Sequence, residues 1–197
     1  MAFGAVLDAN VLFHMPLCDT LLRLAEIELF DPFWSDRILD EMSRNLVSNL
    51  GIGQDKSERR VQLMREAFDA AAVPAEAIEQ LEPAMTNNEK DRHVLAAAVA
   101  SGAQVVVTFN LRDFPDAACE PLGVEALHPD EFLMNLHDLD PGAVRAVVDL
   151  QAAELTTPPM TVDDVLDTLA TVVPSFADAV RAHPAGGSSP EGSRSER

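Results

Sequence analysis

The run Ala5, Val6 and Leu7 is apolar without alternation, stops at the carboxylate of Asp8, and is followed two residues later by the amide of Asn10. A short unbroken apolar segment of this kind predicts a strand of a parallel sheet, buried on both faces. The period then changes. Leu17, Leu21, Leu22, Leu24, Ala25 and Ile27 recur at helical spacing with Asp19, Arg23 and Glu26 between them, predicting an amphipathic helix laid on the sheet. The connector LFDPFWS is broken by Pro32, which leaves room for one brief extended piece, with Trp34 as a core anchor. Ser35 stands at an N-cap position, and Ile38, Leu39, Met42, Leu46 and Leu50 form the apolar stripe of a second helix, with Glu41 at its border.

GIGQDKS (51–57) reads as a loop, and Val61, Leu63, Met64, Ala67, Phe68 and Ala71 give most of the buried face of a third helix expected over 58–72. Lys56, Arg59, Arg60 and Arg65 make this stretch locally basic; with Glu58 and Glu66 interspersed, they read as a charged outer face. A short helical piece is expected between Pro74 and Pro83. From Asn88, an N-cap candidate, a helix carries Asp91 on the same face as Val94, Leu95 and Ala98 and ends at Gly102. Val105, Val106 and Val107 then repeat the opening pattern, a buried strand that stops among Thr108, Asn110 and Asp113. A strand over 124–127 and a helix over 129–136 follow. After Pro141 the pattern is purely helical, in short amphipathic pieces separated by Pro158, Pro159 and Pro174.

Strands alternating with helices predict an α/β domain with a central parallel sheet flanked by helices over 1–138, and a helical C-terminal extension over 139–183. Residues 184–197 are poor in apolar side chains and rich in Gly, Ser and Pro, so a disordered tail is expected there.

Composition narrows the chemistry. The chain is 47% apolar and 24% charged, which suits a folded soluble protein, and no apolar run reaches the roughly 18 residues of a membrane span. Two cysteines are too few for a disulfide scaffold, so free thiols in a reducing cytoplasm are expected. A net charge of −19 argues against binding nucleic acid through a broad basic surface, but not against an acidic cleft that gathers divalent cations. The five histidines, His14, His93, His128, His137 and His183, are scattered, which disfavours zinc. His93, two residues from Asp91 on one helix, is expected to point away from it as a surface or core histidine.

The acids at strand ends or on packing faces are Asp8, Glu41, Asp91 and Asp113, with Asn10, Thr108 and Asn110 beside them. A carboxylate leaving a buried strand loses hydration and needs hydrogen bonds, a counter-charge or a metal to offset that loss. Ordinary turn capping is open for Asp8, and N-terminal helix capping is open for Asp91. An all-oxygen set suits hard cations, Mg²⁺ or Mn²⁺.

LDAN with Asp8 and Asn10, SDRILDEM with Glu41, KDRHVLAAA with Asp91, and VVVTFNLRDF with Thr108, Asn110 and Asp113 together resemble the PIN-domain nucleases, in the family's order over about residues 3–135. Within that family the chain is most similar to the VapC-type toxins of bacterial toxin–antitoxin pairs. The resemblance implies a divalent-metal-dependent endoribonuclease acting on RNA, with Asp8, Glu41, Asp91 and Asp113 as catalytic, metal-holding acids and Asn10, Thr108 and Asn110 in support. A common form of the motif has an acid where this chain has Asn110, so the fourth carboxylate is assigned to Asp113. Lys90, Arg92 and Arg112 flank the acids as candidate contacts to the RNA backbone, with surface charge as the plainer reading. A cognate antitoxin is the implied partner, a homodimer is compatible, and no membrane is involved.

Two other readings stay open on the sequence. The acids could persist in a non-catalytic PIN-like interaction module that works through its C-terminal helices. A haloacid-dehalogenase-like phosphohydrolase also begins with an aspartate leaving the first strand, but Asn10 occupies the second position of its DxD motif.

Overall fold

A computed structural model describes residues 3–183. The tail expected over 184–197 lies outside the described residues.

β1 (Gly4–Leu7) is buried along its whole length, as its unbroken apolar run requires. The chain leaves it through Asp8 into the single turn α1 (Ala9–Leu12) and then α2 (Met15–Glu26). β2 (Asp31–Phe33) is the extended piece of the LFDPFWS connector, and Pro32 is tolerated because the strand lies at the sheet edge. Gly4 is required by packing against it, since a Cβ there would stand 2.8 Å from the Phe33 ring.

α3 (Asp36–Leu50) starts where expected, with the Ser35 hydroxyl accepting from the Ile38 amide, and ends at Gly51 in the left-handed region (φ 63°). α4 (Gln54–Ala67) corrects the sequence expectation at both ends. It begins inside the stretch taken as loop, because the polar residues there pack through Ser57, whose hydroxyl lies 2.8 Å from that of Ser43 on α3. Apolar periodicity carries no trace of such a contact. It stops before 72, because the chain unwinds at Phe68 to lay Ala72 beside Trp34: the Trp34 amide donates to the Ala71 carbonyl, and the Val73 amide to that of Trp34.

α5 (Ala75–Leu81) fills the interval between the prolines, and a 3₁₀ turn over Glu89–Asp91 leads into α6 (Arg92–Ser101), closed by Gly102 at φ 71°. β3 (Val105–Val107), α7 (Asp116–Cys119) and β4 (Glu125–Leu127) complete the α/β part. The four strands are parallel in the order β2-β1-β3-β4, with Ala5 opposite Val105 and Leu7 opposite Val107. From β1 the next strand in sequence goes to one side, and β3 and β4 lie on the other. The order therefore reverses between β1 and β3, and ligands of open α/β sheets bind outside the carboxyl ends of the strands at such a reversal.

α8 (Pro129–Leu139), α9 (Pro141–Glu154), α10 (Val162–Ala170) and α11 (Pro174–Ala182) form the C-terminal helical region. Thr161 and Asp164 make a reciprocal capping box at the start of α10. α11 has no cap of its own. Asp130 of α8 supplies one, its carboxylate accepting from the Ser175 and Phe176 amides at 3.1 and 2.8 Å. One buried hydrogen bond ties the helices to α2, from the Thr20 hydroxyl to Gln151 Oε1 at 2.8 Å. The buried apolar residues run continuously from Ala5 to Val180, so the helices share one core with the sheet.

Candidate functional site

Asp8 occupies the N-cap position of α1 but makes no side-chain cap bond to that helix, and the Ala9 amide is only a minor influence on its carboxylate. The carboxylate turns to the neighbouring strand end. Thr108 donates its hydroxyl to Asp8 Oδ2 at 2.7 Å, and Asn10 donates its amide to the same oxygen at 2.6 Å and to Thr108 Oγ1 at 2.9 Å. Asn10 Oδ1 accepts from the Phe109 amide, and Thr108 Oγ1 from the Asn110 amide, each at 3.1 Å. Both side-chain donors converge on Oδ2, leaving Oδ1 without one. The register of β1 on β3 makes this possible, because it brings the residues after Leu7 and Val107 side by side.

Asp8 is 4% exposed, and its carboxyl is pushed up to about 6. Burial is the largest cause; the charges of Asp91 and Glu41 push the same way, against the hydrogen bond from Thr108. Asp91 takes the N-cap position of α6, again without a side-chain cap bond. Asn88 supplies the local cap instead, accepting from the Lys90 amide at 3.1 Å. Asp91 is therefore freed from capping, and its carboxyl is raised first by burial and then by the charges of Asp113 and Glu41. Asp113 lies in a 3₁₀ turn (Leu111–Asp113) held to Asn88, whose amide donates to Asp113 Oδ1 at 3.0 Å. Four segments thus bring the acids near one another: the charges of Asp91 and Glu41 raise Asp8, and those of Asp113 and Glu41 raise Asp91.

Glu41, Asp91, Asp113, Asn110, Lys90 and Arg112 line a cavity of about 820 Å³. Asp8, Asn10 and Thr108 are not part of its lining. Arg92 is not brought into it either; its Nε points to the Asn87 carbonyl at 3.5 Å. Lys90 and Arg112 make no salt bridge among the described residues. His93 is buried as a core histidine (2% exposed), yet it also lines this cavity beside Asp91. The helical angle between the two residues does not apply, because Asp91 stands outside the helix at φ −105°, ψ 5°. Its ring is pushed down to about 4, by burial and then by Arg37, so it is neutral at neutral pH.

Sequence reasoning missed Arg37, Arg44 and Asn45 on the cavity wall. They stand four before, three after and four after Glu41 on α3, so they share its face of the helix, a relation that gains meaning only once that face is known to line the cavity.

Among the described residues no group of three or more His, Cys, Asp or Glu side chains is arranged so that it could hold a metal ion. A hard cation such as Mg²⁺ does not need a closed protein cage. It keeps several waters and takes one or two carboxylates together with phosphate oxygens. The donor chemistry fits such an ion: the acids are all-oxygen donors, and two of them are raised partly by neighbouring carboxylates, a repulsion that a cation would relieve.

Comparison with known proteins gives two matches along the chain. Residues 4–112 match the family model described as PIN domain, and residues 129–182 match the one described as VapC50 C-terminal domain. A protein of Mycobacterium tuberculosis (strain ATCC 25618 / H37Rv) named "Putative ribonuclease VapC50" is 48% identical over 98 residues. That alignment covers 50% of this chain and 58% of the relative's own length.

Proposed function

The chain belongs to the PIN-domain family, whose model spans more than half of it, and from that premise we propose that it is a divalent-cation-dependent endoribonuclease, the toxin of a toxin–antitoxin pair. The observation that carries the reading is the meeting of Glu41, Asp91 and Asp113 on one cavity wall, beside the strand-order reversal where Thr108 holds Asp8. The name of the 48% identical relative supports the same activity.

In this reading Asp8, Glu41, Asp91 and Asp113 would hold one or two Mg²⁺ or Mn²⁺ ions, with water completing the coordination. When bound, such ions make a water acidic at neutral pH and stabilise the leaving oxygen of a phosphodiester. The chain's own residues do the rest. Thr108 and Asn10 fix Asp8 through Oδ2 and keep Oδ1 available. Asn110, held by its amide to Thr108 Oγ1, places its side chain in the cavity. Asp91, at the cavity wall, has a carboxyl raised by burial and by the charges of Asp113 and Glu41, so a bound cation would favour its ionised form. Lys90 and Arg112 sit beside the scissile phosphate.

The RNA substrate fits a cytoplasmic protein, and no helix among the described residues is long and apolar enough to cross a membrane. The partner proposed for the cavity face is a cognate antitoxin that covers the acids.

Purified wild type and Asp91→Asn incubated with mixed RNA, Mg²⁺ or EDTA test the proposal. Cleavage by wild type, lost both with EDTA and in the variant, is the expected result. Cleavage that survives EDTA, or a variant as active as wild type, would overturn it. For the toxin role, expression of wild type alone should arrest growth and expression of Asp91→Asn should not.

A further inference from the structure

Arg37 and Arg44 face two cavities at once. One is the acid-walled cavity of about 820 Å³; the other, of about 540 Å³, is completed by Asp40, Ser43 and Gln54. The two guanidinium groups therefore mark the crest of α3 that separates them, about 10 Å apart along the helix at 1.5 Å per residue. Arg44 is exposed and makes no salt bridge among the described residues; its Nε donates only to the Asp40 carbonyl of its own helix at 3.3 Å. Arg37 pairs with Glu82 through Nη1 at 2.9 Å, which leaves the other donors of its fork. In a chain of net charge −19, a phosphate backbone is held only where cations face it, and the cavity wall itself offers Lys90 and Arg112 beside its acids. A strand longer than the reacting nucleotides needs positive charge along its path, and here Arg44 supplies a cation outside any salt bridge among the described residues while Arg37, though paired with Glu82, keeps guanidinium donors free.

We propose that single-stranded RNA leaves the catalytic cavity over the crest of α3, with its phosphates on Arg44 and Arg37, and enters the second cavity. This rests on the ribonuclease reading above and adds the path of the strand. The guanidinium fork suits phosphate oxygens, which it can grip through two parallel N–H bonds. The track stops at the second cavity: the groove beyond it, between α3 and α4, is lined by Asp40 and Glu58 against Arg65, and Arg65 is already engaged by Asp36 at 2.6 Å.

The test is fluorescence anisotropy of a labelled single-stranded oligouridylate, titrated at several salt concentrations with Mg²⁺ present. The protein is the full chain carrying Asp91→Asn, so that the RNA is bound and not consumed. Adding Arg44→Ala should weaken binding about tenfold, the scale of a lost charge-assisted contact, and lower the salt slope by about 0.7 per phosphate released. Arg44→Lys should recover most of the salt slope. Arg59→Ala removes an exposed cation of α4 outside both cavities and should change affinity less than about twofold. Equal binding with and without Arg44, or the same loss from Arg59→Ala as from Arg44→Ala, would overturn the path while RNA cleavage by wild type still stood. Failure of wild type both to bind and to cleave RNA would overturn the path and the ribonuclease reading together.

Discussion

Thr108, the first residue after β3, donates its hydroxyl at 2.7 Å to the carboxylate of Asp8, the first residue after β1, a hundred positions earlier in the chain. The bond stabilises the ionised form of an acid that burial pushes the other way. The same hydroxyl oxygen accepts from Asn10 and from the Asn110 amide, so one small side chain fixes three groups at the strand-order reversal.

Thr108→Val keeps the shape and removes all three bonds. RNA cleavage should fall by about ten- to a hundredfold, the range for residues that orient metal ligands. The acid limb of the pH–rate profile should move upward, because Asp8 loses the bond that favours its charged form. Thr108→Ser should retain most of the activity. A Val variant with wild-type rate and profile would show that the bond is incidental.

The metal-free protein should be destabilised by Asp8. Its carboxyl stands at about 6 when folded against the ordinary 3.8, so between these values the folded protein keeps a proton that the unfolded chain has released. Stability from this group is complete below about pH 4, declines as pH rises to about 6, and stays lower above it by about 3 kcal/mol. In Asp8→Asn the amide oxygen can still accept from Thr108 and Asn10 while the charge is gone. In EDTA at pH 7 the variant should melt at a higher temperature than wild type, with a flatter dependence between pH 4 and 6. Trp34 is the single tryptophan and is fully buried, so its fluorescence reports the transition. A variant that melts lower than wild type at pH 7 would contradict the burial argument.

Asp130→Ala removes the cap that α8 lends to α11. The cost should be about 1 kcal/mol, as for other lost N-caps, which lowers the melting temperature of a chain this size by about 2–4 °C. Thermal denaturation checks it, with RNA cleavage at 25 °C unchanged because Asp130 lies outside the cavity. An unchanged melting temperature would mean that solvent caps α11 equally well.

The parallel sheet could be read in the sequence because its two central strands are unbroken apolar runs, and both stop at polar groups that have no reason to be there in a merely structural turn. Asp8 and Asp113 were found this way. Asp91 was flagged for a different reason, its place on the packing face. Its freedom to act comes from Asn88 taking over the local capping, which only the backbone geometry shows. The bounds of α4 were hidden because its start is held by a hydroxyl pair, Ser43 with Ser57, and its end by the bridge between Trp34 and Ala72. Neither leaves an apolar period. Arg37 and Arg44 are not legible in the sequence, because charged residues on an amphipathic helix look alike until the opposite wall is known. Arg92 follows Asp91 in sequence, but the helix turns it toward the Asn87 carbonyl, and no sequence spacing distinguishes it from Lys90.

Calorimetric titration of the metal-free protein with Mn²⁺ at pH 6 tests most directly whether the four carboxylates act as one cation site. Wild type should bind Mn²⁺ and release protons as it does so, because Asp8, at about 6, is only part ionised at that pH and the cation takes the charged form. Asp91→Asn should bind at least about tenfold more weakly. Absence of Mn²⁺ binding by wild type, or equal binding by wild type and Asp91→Asn, would contradict the account.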